Sequence, residues 1–318
     1  MKQVSIIIPH FNSVKLLEKL LLSIPKYNDI EVIVIDDNST EGIEKFSILK
    51  KSVEFEHIKF LMNNTGVQSA GTCRNIGLKA ATGKWILFAD SDDYFLPGFY
   101  DGIQLYFQSN YDVVFFNTTS IYIDTKEKSN RHMKYEKLIN NYFYKNSLEN
   151  ETKLRYQYGT PWSKLIKKEL IDTNNIMFDE VKAWNDMMFS TKVGYYMRKF
   201  VVVPTTIYCV TRSKGSLTTT ISEEVIDSRI DTFIRYCNFA YGNIPKDQRK
   251  YLELTGLGKL IMVYKSGLGL SKVMTINKKF KKNNINILDV KYINPFFVIR
   301  KIMAYIKNHI KERKYYVG

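Results

Sequence analysis

The sequence contains few cysteines and few histidines, which excludes two common ways of holding a fold together. Its 318 residues include three cysteines and four scattered histidines, and no group of them has the spacing of a zinc site. A sparse and odd number of cysteines excludes a disulfide scaffold and favours a reducing compartment. With 22 tyrosines and 19 phenylalanines, the chain is expected to form a sizeable apolar core instead.

Long apolar runs are also absent from the sequence. The first apolar run, residues 4–8, is too short for a signal peptide, and polar residues follow it at once. No stretch of about 18 uncharged apolar residues occurs, so the sequence predicts no membrane-spanning helix. These absences predict a cytoplasmic protein that is either soluble or peripheral on the inner face of the cell membrane.

The charges are distributed unevenly along the chain, whose formal net charge is +15. Residues 1–120 hold 11 Lys and Arg against 14 Asp and Glu, whereas residues 259–318 hold 14 against 2. The basic excess therefore belongs to the C-terminal region. It favours an anionic partner surface there, either membrane lipid or nucleic acid.

Short β-branched runs alternate with helical patterns over the first 120 residues. Strands are predicted at residues 4–8, 31–35, 58–61, 84–88 and 112–116, and helices at 15–23, 70–81 and 97–108. Further along, helices are predicted at 162–170, 185–196, 222–240, 246–266 and 295–312, strands at 201–203 and 206–211, and a basic loop at 278–284. The alternation predicts an α/β fold with a mostly parallel sheet, which binds ligands at the carboxyl ends of its strands.

Acidic residues follow two of the predicted strands at that end. Asp90, Asp92 and Asp93 follow the fourth strand, and carboxylates at i and i+2 can face one hard divalent cation such as Mg²⁺ or Mn²⁺. Asp36 and Asp37 follow the second strand, and fixed carboxylates suit the N–H and hydroxyl donors of a nucleoside. From spacing alone, each group could instead be a polar turn or a helix cap.

Four segments of the chain together resemble the family 2 glycosyltransferases. They follow one another in the order and at the spacing of that family, at residues 5–12, 31–39, 70–78 and 85–93. Weaker matches lie at residues 161–165, 184–189 and 208–216. The resemblance covers about the first 217 residues. It implies the GT-A fold, a Rossmann-like, mixed and mostly parallel sheet flanked by helices, here with a helical C-terminal extension.

The resemblance also implies a domain organisation. Residues 1–217 would form the GT-A catalytic domain, with a nucleotide-sugar-binding half at 1–117 and an acceptor-binding half at 118–217. Residues 218–318 would form a basic helical region, in which residues 296–311 separate into basic and apolar arcs on a helical wheel. Membrane contact through residues 278–316 is one expectation. Packing of the apolar arc on the catalytic domain, or a homo-oligomer interface, is the alternative.

The resemblance implies a nucleotide-sugar site assembled from several loops. Its residues would be Pro9, Phe11, Asn12, Asp37, Asn64, Arg74, Asp90, Asp93 and Arg212. Asp37 would accept a hydrogen bond from a uracil ring, with Asp36 supporting its loop, and Arg212 would meet the diphosphate. From the residues alone, Arg74 could equally be an ion-pair partner of the aspartates.

The resemblance further implies a metal site and a catalytic base. Asp92 would be the principal ligand of Mn²⁺ or Mg²⁺, with Asp90 beside it, and Asp186 would take the proton of the acceptor hydroxyl. Asp186 could instead be an acid favoured by a helix N-terminus. The family usually has Glu before this Asp, whereas this chain has Asn185, so a carboxylate that could orient the acceptor or support the base is missing.

The activity implied is an inverting, metal-dependent transfer of a hexosyl or N-acetylhexosaminyl group from a UDP-sugar to a glycan or lipid-linked acceptor. The implied setting is bacterial surface polysaccharide synthesis: capsule, lipopolysaccharide or teichoic acid. A non-catalytic sugar-nucleotide-binding partner subunit on the same fold is the alternative that Asn185 raises. A nucleotidyltransferase would be expected to carry a Gly-rich basic loop near the first strand, and none occurs. Nucleic acid is not expected as a partner, because no recognition motif occurs and the site-forming half is acidic.

Overall fold

The chain folds around one eight-stranded mixed sheet. The computed structural model describes residues 2–212, 222–289 and Met303. Within them the strands are β1 (Val4–His10), β2 (Ile30–Asp36), β3 (Lys59–Met62), β4 (Trp85–Phe88), β5 (Tyr94–Phe95), β6 (Val113–Tyr122), β7 (Lys164–Lys167) and β8 (Phe200–Arg212). Their order across the sheet is β3-β2-β1-β4-β7-β6-β8-β5.

Helices lie along the chain between and after these strands. They are α1 (Val14–Leu22), α2 (Ile43–Lys51), α3 (Ala70–Ala80), α4 (Phe99–Gln104), α5 (Met133–Tyr144), α6 (Leu148–Gln157), α7 (Lys168–Thr173), α8 (Met187–Tyr196), α9 (Glu223–Asn243), α10 (Lys246–Arg249), α11 (Leu257–Lys265) and α12 (Gly269–Lys282). Among the described residues, no helix combines the length and the apolar character that crossing a bilayer requires.

The parallel half of the sheet is β3-β2-β1-β4. Its three central strands are apolar along most of their length because they are buried on both faces. Ile7 of β1 is paired with Ile33 on one side and Phe88 on the other. Helix α3 packs so closely on this layer that a Cβ at Gly77 would lie 2.4 Å from Ile7 Cγ2. Because β1 runs parallel to both β2 and β4, the loops that follow these three strands lie at the same edge of the sheet.

The other half of the sheet corrects one prediction and refines another. Residues 162–170 are not a single helix, because β7 pairs antiparallel with β4 and β6 before α7 begins. A buried run this short has no period that separates strand from helix. Residues 200–212 form one strand instead of two. The pairing with β6 skips Pro204, so a bulge accommodates the missing N–H of that residue.

The C-terminal helices form a second apolar core, centred on Phe233 of α9 and Phe280 of α12. The single helix predicted at 246–266 is two helices, α10 and α11. Residues 278–282 belong to α12 and are not a loop, because Ile276 and Phe280 lie one turn apart and are both buried. Apart from Met303, the predicted helix at 295–312 lies outside the described residues.

Candidate active site

The first acidic pair organises the loop after β2. The Asp36 carboxylate accepts hydrogen bonds from the backbone N–H of Ser39 at 3.1 Å and from its hydroxyl at 2.6 Å. His10 Nε2 lies 3.9 Å from the same carboxylate. Burial lowers the pKa of His10, although the charge of Asp36 acts to raise it. Asp36 is therefore occupied in holding its own loop.

Asp37 has a partner that the sequence-based prediction missed. Asn63 Nδ2 donates to Asp37 Oδ1 at 2.6 Å and to the backbone oxygen of Val67 at 2.9 Å. Asn63 is buried, whereas the predicted Asn64 beside it is exposed. The structure therefore brings Asn63, rather than Asn64, into contact with Asp37. Both asparagines follow β3, so their position was visible in the sequence but the choice between them was not.

The loop after β1 is joined to the loop after β2 through Asn12. Its Oδ1 accepts the backbone N–H groups of Thr40 at 2.8 Å and Glu41 at 3.0 Å. Asn12 has φ of 51°, a left-handed conformation that asparagine tolerates. Pro9 is buried in β1, and Phe11 is exposed at the edge of the sheet. The exposed ring of Phe11 offers a face on which a nucleobase could stack.

The second acidic group forms a tight cluster after β4. Carboxylate oxygens of Asp90, Asp92 and Asp93 lie within 4.8 Å of one another. Burial, together with the charge of Asp90, raises the pKa of Asp92 to about 6. Burial and the two neighbouring carboxylates also raise the pKa of Asp93 well above its usual range. Asp93 Oδ1 accepts the backbone N–H of Thr211 at 2.6 Å, while its buried Oδ2 has no hydrogen-bond partner among residues 2–212 and 222–289.

This donor set fits a hard divalent cation. Each of the three residues offers an oxygen ligand, and Asp93 Oδ2 is a buried acceptor that receives no hydrogen bond from the described part of the chain. The raised pKa values reflect burial first and the mutual repulsion of the carboxylates second, and a bound cation would favour the ionised forms against both. The predicted ligands Asp92 and Asp90 are thus brought together, and Asp93 joins them.

Arg74 connects the acidic cluster to the loop that carries the predicted base. Its Nη2 donates to Asp90 Oδ1 at 2.6 Å, and its Nη1 donates to Asn185 Oδ1 at 2.9 Å. The guanidinium is buried and lies 5.3 Å from the ring centre of Phe178. One buried side chain therefore fixes the spacing between the two loops.

Asp186 stands at the N-terminus of α8, and its side chain makes no capping hydrogen bond there. Burial raises the pKa of Asp186. Asp90 acts in the same direction, whereas Arg74 and Lys164 favour the charged form. Asp186 therefore lies at a helix N-terminus, as the alternative prediction of a helix-terminal acid has it. Its carboxylate, however, does not cap the helix. Asp186 is thus a carboxylate with a raised pKa whose charged form is favoured by Arg74 and Lys164.

Two cationic residues near the site are not among the predicted site residues: Arg131 lies in no matching segment, and Lys164 lies in the weakly matching segment 161–165. Arg131 donates to the backbone oxygen of Thr211 at 3.3 Å, and the acidic cluster raises the pKa of its guanidinium despite burial. Lys164 is fully buried and donates to the backbone oxygen of Tyr158 at 2.7 Å. Burial lowers the pKa of Lys164 to about 7, although the charge of Asp186 acts to raise it.

The predicted Arg212 is the last residue of β8. Its Nη1 donates to Asn130 Oδ1 at 3.0 Å, and its guanidinium lies 5.8 Å from the ring centre of Tyr122. Residues 213–216, which complete the weakly matching segment at 208–216, lie outside the described part of the chain.

Comparison with known proteins decides the family. The model described as "Glycosyl transferase family 2" matches residues 5–173, more than half of the chain. The chain belongs to glycosyltransferase family 2. Over 195 residues this family 2 chain is 29% identical to the poly(ribitol-phosphate) beta-N-acetylglucosaminyltransferase TarP of Staphylococcus aureus strain N315. That match covers 60% of this chain and 57% of TarP, so the chain spans little more than half the length of that relative.

Solved structures place the family 2 chain in the GT-A fold, as the sequence predicts. Residues 1–349 of Staphylococcus aureus TarS in complex with UDP-GlcNAc align with a TM-score of 0.59 at 21% identity, covering 79% of this chain and 70% of TarS 1–349. The mannosyltransferase PcManGT of Pyrobaculum calidifontis, in complex with GDP-Man and Mn²⁺, aligns with a TM-score of 0.56 at 15% identity. That alignment covers 98% of this chain and 86% of the mannosyltransferase.

Proposed function

We propose that the chain transfers a hexosyl or N-acetylhexosaminyl group from a UDP-sugar to a hydroxyl of a glycan or lipid-linked acceptor, with inversion at the anomeric carbon. The observation that carries the proposal is the Arg74 bridge. It ties the acidic cluster, through Asp90, to Asn185, the residue before Asp186. A carboxylate beside a donor site is the arrangement that a single in-line displacement needs, because one group holds the leaving diphosphate and another takes the acceptor proton.

The donor would lie at the edge formed by the loops after β1, β2 and β4, within the nucleotide-sugar-binding half at 1–117. Phe11 supplies a ring face, Asp37 an acceptor for a base N–H, and Pro9 and Asn12 hold the wall between them. Asn63 orients Asp37, and Asn64 remains a predicted contact. Arg74 would lie near the diphospho-sugar and Asp90 near the ribose and the metal. Asp93 would contact the donor sugar or hold the loop, and Arg212 would meet the diphosphate. The TarS complex with UDP-GlcNAc supports a uridine nucleotide.

Asp92 and Asp90 would hold Mn²⁺ or Mg²⁺, with Asp93 as a third oxygen donor. When bound, such an ion neutralises the charge that develops on a leaving diphosphate. The protein's own contribution is the donor set, in which burial and the charge of Asp90 raise the pKa of Asp92 to about 6, and positive charge nearby would favour its ionised form. The mannosyltransferase complex, which holds Mn²⁺, supports this assignment.

Asp186 would remove the proton from the acceptor hydroxyl. Its raised pKa makes it a better base than an ordinary aspartate, while Arg74 and Lys164 keep a fraction ionised. No second nucleophile is required for inversion, since the acceptor oxygen attacks the anomeric carbon directly. The acceptor would occupy the half at 118–217, and residues 218–318 would form a basic helical region beside it.

The setting would be bacterial surface polysaccharide synthesis in the cytoplasm, at the inner face of the cell membrane. TarP, named for action on poly(ribitol-phosphate), supports a surface polymer as the acceptor. The three described cysteines are free and buried, as in a protein from a reducing compartment. The predicted membrane contact through residues 278–316 belongs to the same proposal.

A donor screen tests this function. The protein is incubated with Mn²⁺ and a panel of UDP-, GDP- and dTDP-sugars, and nucleotide release is followed with and without EDTA. We expect slow hydrolysis of one UDP-sugar that EDTA abolishes. Asp92→Ala and Asp186→Ala should nearly abolish turnover, whereas Asp101→Ala, an exposed aspartate on α4, should not.

Two results would contradict the proposal in different ways. If calorimetry detects no metal-dependent binding of any nucleotide on the panel, the acidic loops are structural and the donor assignment fails. If a nucleotide-sugar binds but Asp186→Ala has the parent's turnover, the assignment of the base fails. Tight binding without turnover on any acceptor offered would favour the non-catalytic partner subunit.

A further inference from the structure

Helices α11 and α12 form a hairpin that carries charge of one sign only. Residues 254–288 contain seven lysines and no Asp or Glu. Two of these lysines point at acidic residues of α9: Lys272 lies 2.8 Å from Glu223 and 2.8 Å from Asp227, and Lys279 pairs with Asp231. A third, Lys259, lies over aromatic rings. The acids of α9 thus neutralise the inner side of the hairpin.

The outer side of the hairpin keeps its charge. Lys265, Lys278, Lys281 and Lys282 are exposed, and within the described ranges none of them lies within 4.0 Å of a carboxylate oxygen. Four uncompensated positive charges on one small hairpin attract anions at ordinary ionic strength. The excess is specific to this face, because the inward lysines of the same helix are paired.

Large apolar side chains share that outer face. Ile261 and Tyr264 of α11 are 46% and 63% exposed, and Leu270 and Met274 of α12 are 66% and 61% exposed. Leu270, Met274 and Lys278 follow one another at four-residue spacing and so lie along one stripe of α12. Apolar side chains interleaved with lysines on a helical face match the chemistry of a lipid interface, where the apolar groups enter the acyl boundary and the lysines meet headgroups.

We propose that the outer face of the α11–α12 hairpin docks on a bilayer that contains anionic lipid. The occupant is a lipid surface because the face offers both cations and apolar groups, whereas a soluble anion would use the cations alone. Met262 and Val263 of α11 turn toward the protein, so Ile261 and Tyr264 are available without unfolding. The proposal rests on, and deepens, the membrane contact proposed above for residues 278–316, which it extends to α11. It does not depend on sugar transfer, since docking needs neither donor nor acceptor.

Docking would place the candidate active site near the lipid. Lys259, in the first turn of α11, lies 4.7 Å from the ring centre of Trp184, and Trp184 is two residues before Asp186. The hairpin therefore reaches from the membrane face to the loop of the proposed base. The hydroxyl of a lipid-linked acceptor, which also lies near the bilayer surface, could then reach the loop that carries Asp186.

Co-sedimentation of the full chain with vesicles tests the proposal. Vesicles of phosphatidylcholine alone are compared with vesicles containing 30% phosphatidylglycerol (roughly one lipid in three, enough for an anionic surface). We expect binding to the anionic vesicles only. Each exposed lysine should contribute roughly fivefold in the partition coefficient, so the quadruple variant K265Q/K278Q/K281Q/K282Q should lose binding. Leu270→Ser combined with Met274→Ser should weaken binding at constant charge.

A matched control neutralises four exposed lysines elsewhere: Lys15, Lys45, Lys50 and Lys51 on α1 and α2. K15Q/K45Q/K50Q/K51Q should bind vesicles as the parent does.

The proposal is overturned if the parent does not bind anionic vesicles, or if the hairpin variant binds as tightly as the parent. It is also overturned if both quadruple variants lose binding equally. A parent dimer that L270S/M274S converts to a monomer, without vesicle binding by the parent, would make the face a self-association surface instead. Nucleotide release is measured on the same samples. Release without vesicle binding would contradict membrane docking alone, and vesicle binding without release would contradict the transferase assignment alone.

Discussion

Asn185 accepts a hydrogen bond from Arg74 at 2.9 Å, at the position where the family resemblance leads one to expect Glu. The amide supplies the acceptor oxygen without adding a negative charge. Arg74 pairs with Asp90 through its other amino group, so the amide makes the second contact without adding a carboxylate beside the acidic cluster. The departure from the family pattern therefore preserves the contact that joins the two loops.

Removing that contact should impair turnover more than folding. A hydrogen bond to a charged group contributes about 1.5–3 kcal/mol, so Asn185→Ala should lower kcat/KM by about tenfold or more. Steady-state nucleotide release with the donor found in the screen measures the effect. Asn243→Ala is the control, because Asn243 Nδ2 donates to Phe239 on a distant exposed helix surface. An unchanged kcat/KM for Asn185→Ala would show that Arg74 holds its position without the amide.

The two asparagines after β3 should differ in their effect on nucleotide binding. Asn63→Ala removes the donor that orients Asp37, so the Kd for UDP should rise about tenfold, as expected for a lost hydrogen bond to a carboxylate. Asn64→Ala removes an exposed side chain that does not hold Asp37, so it should raise the Kd less than Asn63→Ala does. Calorimetry below each variant's melting transition compares them. The opposite ranking would return the predicted contact to Asn64.

In the absence of metal, Asp92 should lower the free energy of unfolding at neutral pH. Its pKa is raised from 3.8 to about 6 by burial and by Asp90, so the cost is absent below pH 3.8 and complete above about pH 6. Asp92→Asn should therefore raise the free energy of unfolding by about 3 kcal/mol at pH 7.5 and by about 0.5 kcal/mol at pH 4. Urea unfolding in EDTA measures this difference.

The same variant should lose its response to metal. Mn²⁺ should stabilise the parent and leave Asp92→Asn nearly unchanged, since ligand binding to the native state alone raises stability. Asp101→Asn serves as the control in both series. Equal stability of parent and Asp92→Asn at pH 7.5 would mean that the cluster relaxes without its ion.

Lys164 should lower the free energy of unfolding while it favours the ionised form of Asp186. Burial lowers the pKa of Lys164 to about 7, so its cost is complete below pH 7 and vanishes above about pH 10.5. Lys164→Met should stabilise the fold at pH 6 by about 1 kcal/mol and less at pH 9. It should also reduce turnover more at pH 6 than at pH 8, because Asp186 loses a charge that favours its ionised form. A loss of turnover that is the same at both pH values would assign Lys164 a purely structural role.

The parts of the fold that the sequence predicted are those with strong local signals. β1, β2 and β4 are fully buried apolar runs, and polar loops follow them, so strands and site edge were both visible. β7 was not visible, because four buried residues between β4 and β6 acquire their strand pairing only from tertiary structure. The end of α12 was misread because its lysines suggested a loop, while Phe280 inside the run anchors a helix turn.

The parts of the site that were missed depend on long-range contacts. Asp90 and Asp92 are neighbours in sequence, so their cluster could be predicted from spacing. Arg131 lies between β6 and α5, in a segment without a motif, and its charge interacts with the same cluster. Lys164 lies in a recognisable segment, but its burial follows from the packing of β7. The choice of Asn63 over Asn64 depends on which side chain turns inward.

The position of β7 limits how this chain can be dissected. β7 belongs to the second half of the sequence, yet it lies between β4 and β6 in the sheet. A fragment ending at residue 117 would leave one edge of β4 without its neighbour, exposing backbone groups that pair readily with other chains. Such a fragment would be prone to aggregate even though it contains the loops after β1, β2 and β4 that are proposed to hold the nucleotide. Recombinant work on donor binding should therefore keep residues through β8 in one polypeptide.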